Sequence, residues 1–117
     1  MQIKFTADRA TTLVMRETDY ESFCKRYVEE KGGFYIKLPA MYHLGIPDRI
    51  ALLPWSCVFL VETKTPVGKV SKIQDYMHVK IRKMGFKVYI VDDKKMFMGL
   101  VDKELSIAER KWKRSRR

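Results

Sequence analysis

Two stretches, Pro47–Leu53 and Cys57–Lys64, flank Pro54-Trp55-Ser56, and this pair constrains the fold more than any other feature of the chain. The first alternates in polarity; the second is apolar until Glu62 and Lys64. So short a gap, headed by a proline, makes an antiparallel hairpin the natural connection. With the turn centred near Trp55, paired positions sum to about 110, which sets Asp48 opposite Glu62. Directly opposed strand residues have Cβ atoms about 4.5–5.5 Å apart on one face, so two carboxylates there repel. A divalent cation between them removes the penalty. Lys64, two residues beyond Glu62, falls on the same face. A slip of one residue would carry Asp48 to the other side, so the site depends on this register.

Around the hairpin the sequence predicts a helix from Asp19 to Lys31, capped by Thr18 or Asp19 and ended by Gly32-Gly33, with Phe23, Tyr27 and Val28 at helical spacing. Phe34–Leu38 reads as a short strand. After a loop at Thr65–Gly68, Ser71 opens a second helix to Met84 with an apolar stripe of Ile73, Met77, Ile81 and Met84. Phe86–Val91 is a fourth strand, and the stretch from Met96 to Arg110 holds a short turn and a final helix. Thr6–Thr12 is a polar loop or arm. The order α-β-β-β-α-β predicts an α/β domain over residues 1–110, a small mixed sheet flanked by helices, followed by a basic tail over 111–117. A length of 117 residues suits one domain. No apolar run approaches the roughly 18 residues of a membrane helix. Two cysteines without a secretory signal favour the cytoplasm over a disulfide scaffold.

Paired acids with a lysine at adjacent strand ends suit a hard cation, Mg²⁺ or Mn²⁺, which keeps several waters and accepts phosphate oxygens. Such an ion lowers the pKa of a bound water and neutralises charge on a scissile phosphate; a lysine orients that water, helps deprotonate it or stabilises the developing charge. The chemistry is phosphodiester hydrolysis. Nothing points to an organic cofactor: there is no glycine-rich phosphate loop, and Cys24, Cys57, His43 and His78 lack zinc spacing.

Pro47-Asp48 followed by Glu62-Thr63-Lys64 resembles the Pro-Asp…Asp/Glu-x-Lys signature of restriction-endonuclease-like nucleases. With Gly45-Ile46-Pro47-Asp48 and Ser71-x-x-Gln74 added, the chain resembles the VRR-NUC (virus-type replication-repair nuclease) group over about residues 19–92. That resemblance implies a restriction-endonuclease-like core and a metal-dependent DNase, with stand-alone phage-type members acting as homodimers on branched DNA such as four-way (Holliday) junctions. It implies that Asp48, Glu62 and the Thr63 carbonyl hold the metal, that Lys64 serves the attacking water, that Gln74 orients Lys64 or the water, and that Glu21 reaches the cluster from the first helix. Taken singly each has an ordinary reading: Asp48 as a turn cap, Glu62 and Lys64 as a solvated strand end, Gln74 as half of a capping box, Glu21 as a first-turn acid.

Charge agrees with a polyanionic partner. Twenty-four Lys and Arg against fourteen Asp and Glu give +10, and the acid-free run from Arg110 leaves residues 1–109 at +4. Lys37, Arg49 and Lys69 beside the site, and Lys111, Lys113, Arg114, Arg116 and Arg117 in the tail, are candidate nucleic-acid contacts. Two other readings remain open at this point: a basic nucleic-acid-binding module without catalysis, and the same chemistry on RNA.

Overall fold

The computed structural model describes residues 17–39, 43–64 and 70–116. The loop readings over 6–12 and 65–68, and the candidate contacts Lys69 and Arg117, lie outside them. The elements run α1 (Glu17–Glu30), β1 (Phe34–Lys37), β2 (Arg49–Leu53), β3 (Cys57–Thr63), α2 (Lys72–Lys83), β4 (Val88–Val91) and α3 (Lys94–Ser115). The strands form one mixed sheet ordered β1-β2-β3-β4, antiparallel except for the parallel β3–β4 pair. Helix α2 makes the crossover that a parallel pair requires. This is the expected α/β core.

The expected hairpin register is the observed one. Arg49 pairs with Val61, Ile50 with Leu60 and Ala51 with Phe59. The turn is tight: the Cys57 N–H donates to the Pro54 carbonyl at 3.2 Å, with Trp55 at φ 66° and Ser56 at φ 58°. Two successive left-handed residues match the twist of a hairpin, but glycine or asparagine is the usual occupant of such positions.

Alternation along the strands divides the core. On one face Tyr35, Ala51, Leu53, Phe59, Val61 and Val91 pack with Tyr20, Cys24 and Val28 of α1 and Phe97 and Val101 of α3. On the other, Leu60 and Val88 pack with Ile81 of α2, flanked by Leu38, Ile46 and Ile50. Asp48 and Glu62, at even-numbered positions, belong to the α2 side. The Ser71/Gln74 capping box that the sequence suggested is present at the start of α2.

Two element ends differ from expectation. Helix α1 begins at Glu17, ahead of the proposed caps. Helix α3 is capped by Asp93, whose side chain accepts from the Met96 N–H, and runs unbroken through Ser115. Lys111, Lys113 and Arg114 therefore continue that helix and do not form a separate tail. Glu109 supports the extension through an i,i+4 pair with Lys113 at 2.5 Å. Among the described residues, no helix is long and apolar enough to cross a membrane.

Gly45 is required by both conformation and space. Its φ is +83°, and an added Cβ would stand 2.5 Å from the Ile73 carbonyl of α2. Gly85 also has a positive φ, of +98°, but open space around it. Gly45→Ala should therefore cost on the order of 1–3 kcal/mol and more than Gly85→Ala, measured by thermal or urea unfolding.

Candidate metal and nucleic-acid site

The site lies where β2 begins and β3 ends. Gly45 lets the chain pass closely over α2, Pro47 is fully buried, and Asp48 follows at the entrance to β2. Asp48 is held from both sides. Its carbonyl accepts from the Leu38 N–H at 2.7 Å and its Oδ2 from the Thr63 N–H at 3.1 Å. Extended by two pairs beyond Arg49–Val61, the register sets Thr63 opposite Pro47. Proline has no N–H to offer, so the sheet supplies the Thr63 carbonyl with no donor there.

Glu62 is 6 % exposed and lies against Asp48. Burial and the neighbouring Asp48 carboxylate push its pKa up to about 7. Gln74 Nε2 donates to Glu62 Oε2 at 3.0 Å, which works the other way by favouring the charged form. Gln74 thus has two roles: its carbonyl oxygen caps α2 by accepting from the Ser71 N–H at 2.9 Å, and its amide nitrogen holds Glu62. Its side-chain partners are Ser71 and Glu62, not Lys64.

Glu62 Oε1 is buried without a hydrogen-bond partner among the described residues. The nearest imidazole is that of His78, fully buried on α2, whose Nε2 is 3.7 Å away. Neither ring nitrogen has a hydrogen bond among the described residues. Burial first, then Arg82, lowers the His78 pKa, so the ring is held neutral. The sequence reading gave His78 no role. Its signal was available: Gln74 and His78 are four apart on one helix, hence on one face.

Glu21 is not brought to the acid pair. Its Oε1 pairs with Arg49 Nη2 at 2.5 Å on the α1 side of the sheet. Arg49 in turn donates from Nη1 to the Asp48 carbonyl at 3.2 Å, so Glu21 acts on Asp48 through the arginine. The Arg49 side chain is only 8 % exposed and is engaged on both arms, which removes it from the residues available to phosphate. Among the described residues, no group of three or more His, Cys, Asp or Glu could hold a metal ion. The acids converge as a pair.

Lys64 is exposed, its backbone N–H fixed to the Val91 carbonyl at 2.8 Å. Lys37 is also exposed, at the β1 end that pairs with Arg49. The basic residues of α3 lie elsewhere: Lys113 is over the Trp55 ring, at the turn that forms the opposite end of the hairpin.

The donor set suits a divalent cation. It offers two carboxylates that repel, one of them with a buried free oxygen, beside a carbonyl without a sheet partner. All are hard oxygen donors.

No protein-family model matches the chain. A solved structure described as a VRR_NUC domain matches with a TM-score of 0.66 and 29 % sequence identity, covering 74 % of this chain and 94 % of that one. A curated protein, "Putative nuclease p44" of Acyrthosiphon pisum secondary endosymbiont phage 1, is 29 % identical over 79 residues, 68 % of this chain and 85 % of that protein. The chain thus has the fold of a VRR_NUC domain and is similar to one in sequence, in line with the resemblance its motifs carry.

A raised carboxyl pKa in the folded state means the fold binds that proton more tightly than the unfolded chain does. The stabilisation is complete below the ordinary glutamate value and is lost as pH rises through about 7. Metal-free protein should therefore melt lower at pH 8 than at pH 5 by more than Glu62→Gln does. The difference should correspond to about 1–3 kcal/mol, belonging to the Asp48–Glu62 pair. Melting curves for both proteins in EDTA across that range provide the check.

Proposed function

We propose that this VRR-NUC-like domain is a divalent-metal-dependent DNA endonuclease selective for branched DNA such as four-way junctions, acting as a homodimer. The observation that carries the reading is the Asp48–Glu62 pair, a buried carboxylate held against a half-buried one in spite of their repulsion. The motif resemblance, the similarity to a VRR_NUC domain and the phage relative named a nuclease support it.

Asp48, Glu62 and the Thr63 carbonyl are the residues that would hold Mg²⁺ or Mn²⁺. When bound, the ion supplies an acidified water and offsets charge on the scissile phosphate. The protein's own groups do the rest. Gln74 holds one Glu62 oxygen and leaves the other free. The Thr63 N–H orients Asp48, and Arg49, braced by Glu21, fixes the Asp48 backbone. Lys64, without an ion pair to any described residue, serves the attacking water and the charge that develops on the phosphate. Water oxygen attacks phosphorus in line, the bond to the 3′ oxygen breaks, and that oxygen takes up a proton. The products carry 5′-phosphate and 3′-hydroxyl ends.

Self-association is supported by an apolar strip on the α2 side of the sheet, where Phe34 is 67 % exposed beside Ile36 and Leu52. Two sites in a two-fold dimer would suit the two strands of a junction. Sedimentation should give a dimer; a monomer even on junction DNA would remove this part of the proposal.

The nuclease reading is tested on labelled four-way junction, linear duplex, single-stranded DNA and a matched RNA, each with Mg²⁺, Mn²⁺ or EDTA. Cutting should require metal, favour the junction, and fall by about 10²–10⁴-fold in Lys64→Ala. Tight, salt-sensitive binding without cutting in either metal would replace the reading with a non-catalytic binding module. Faster cutting of RNA would change the substrate class.

A further inference from the structure

A second concave surface lies at the far end of the hairpin from the acids. Glu62 is five residues along β3 from Cys57, a span of about 17 Å at strand rise. The cleft there is about 490 Å³, within the range of small-ligand sites. Trp55, Phe86, Ile107, Lys111 and Trp112 line it, together with Glu104. None of the residues proposed above for metal or catalysis takes part.

Three independent features of this cleft point to one kind of occupant. The first is charge: the end of α3 carries Arg110, Lys111, Lys113 and Arg114, followed by Arg116 at its C-cap, with no acid between them. The Glu104 carboxylate is already neutralised, accepting from Lys87 Nζ at 2.9 and 3.1 Å and from the Tyr89 hydroxyl. Burial works to raise its pKa, and those hydrogen bonds outweigh it, so the group stays below the usual carboxylate range. The second is aromatic surface paired with cations. Lys113 Nζ is 5.5 Å from the Trp55 ring centre, and the Arg116 guanidinium carbon is 4.0 Å from that of Trp112. The third is backbone strain: Trp55, the largest side chain there is, occupies a left-handed turn position that glycine or asparagine would occupy without strain. Strain retained at a surface turn is a mark of a used side chain.

Planar rings beside a cluster of cations that outnumbers its one acid partner, the Glu109 paired with Lys113, are the elements of a single-strand binding surface, where bases stack and phosphates meet positive charge. Duplex bases already stack on one another and offer no free face. A second copy of this chain would bring +10 of its own to the same basic helix. We infer that the Trp55–Trp112 cleft is a second nucleic-acid site, one that takes an unpaired segment of the DNA substrate by stacking bases on the tryptophans and seating phosphates on the cations of α3. The inference rests on the nuclease reading for its substrate and not on the acid pair.

The chain has two tryptophans, both lining this cleft, so tryptophan emission, excited selectively over that of the six tyrosines, reports on it alone. Oligothymidylate titrated into the whole protein in EDTA should quench that fluorescence saturably. An abasic oligomer of equal length and charge should bind about tenfold more weakly. Trp112→Ala should lose about tenfold in oligothymidylate affinity while cutting linear duplex within about twofold of wild type. Trp55→Gly, which suits the turn, should show the same loss without unfolding. Equal binding of the abasic oligomer, or oligomer binding seen by anisotropy with no fluorescence change, overturns the inference. So does a changed sedimentation state in Trp112→Ala with unchanged oligomer binding, which would assign the cleft to a second copy. A fluorescence blue shift with phosphatidylglycerol vesicles and none with oligomer would assign it to a membrane surface. Quenching is read without metal, so it stands or falls apart from cutting, whose absence in wild type would overturn only the nuclease reading.

Discussion

The pairing of β2 with β3 is the constraint on which the rest depends. One register decides which side chains enter the core between α1 and α3, which face α2, and whether two acids stand together at the strand ends. A shift of one residue would turn Arg49 and Val61 outward and separate Asp48 from Glu62. The hairpin is therefore over-determined. A tight turn fixes one end, and the Asp48 carboxylate, accepting from Thr63, ties the other. Helix α2 closes over it from the side through Gly45.

That arrangement places an unfavourable interaction where it is useful. Two carboxylates at the end of a sheet destabilise the metal-free fold, and the surroundings compensate only in part. Gln74 satisfies one oxygen of Glu62, but the other is left beside a neutral His78. A strand end designed for stability alone would replace the pair by apolar residues of similar size. The retained repulsion is the physical content of the motif. A cation removes it, and the Pro47 that precedes Asp48 leaves a carbonyl on the same edge.

The hairpin, its register and the acid pair were legible in the sequence, because strand alternation and a short gap leave few alternatives. The capping box of α2 was legible for the same reason: Ser71 and Gln74 interact locally. What could not be read were contacts that cross the sheet. Glu21 and Arg49 lie 28 positions apart and meet only because α1 packs on that face of the sheet, so the acid expected at the metal braces an arginine expected at phosphate. His78 shares a helix face with Gln74, a local signal, but its approach to Glu62 depends on how α2 packs over the sheet. The end of α3 was misjudged because an acid-free basic run looks unfavourable as a helix. Its last turns are held by the Glu109–Lys113 pair and by the Trp55 ring of the hairpin turn, on which Lys113 lies.

The distance between the acids and the basic helix has a consequence of its own. Cations beside carboxylates neutralise them, as Arg49 does Glu21 and Lys87 does Glu104. Had the cations of α3 been next to Glu62, they would have occupied the place a metal needs and drawn the Glu62 pKa down. A separation of about 17 Å along β3 exceeds the screening length of about 8 Å at physiological salt, so the charge of the helix scarcely reaches the pair. Burial and Asp48 accordingly dominate Glu62. The sheet thus keeps the charge that attracts a polyanion at one end and the charge that attracts a metal at the other, and each end holds its own electrostatics.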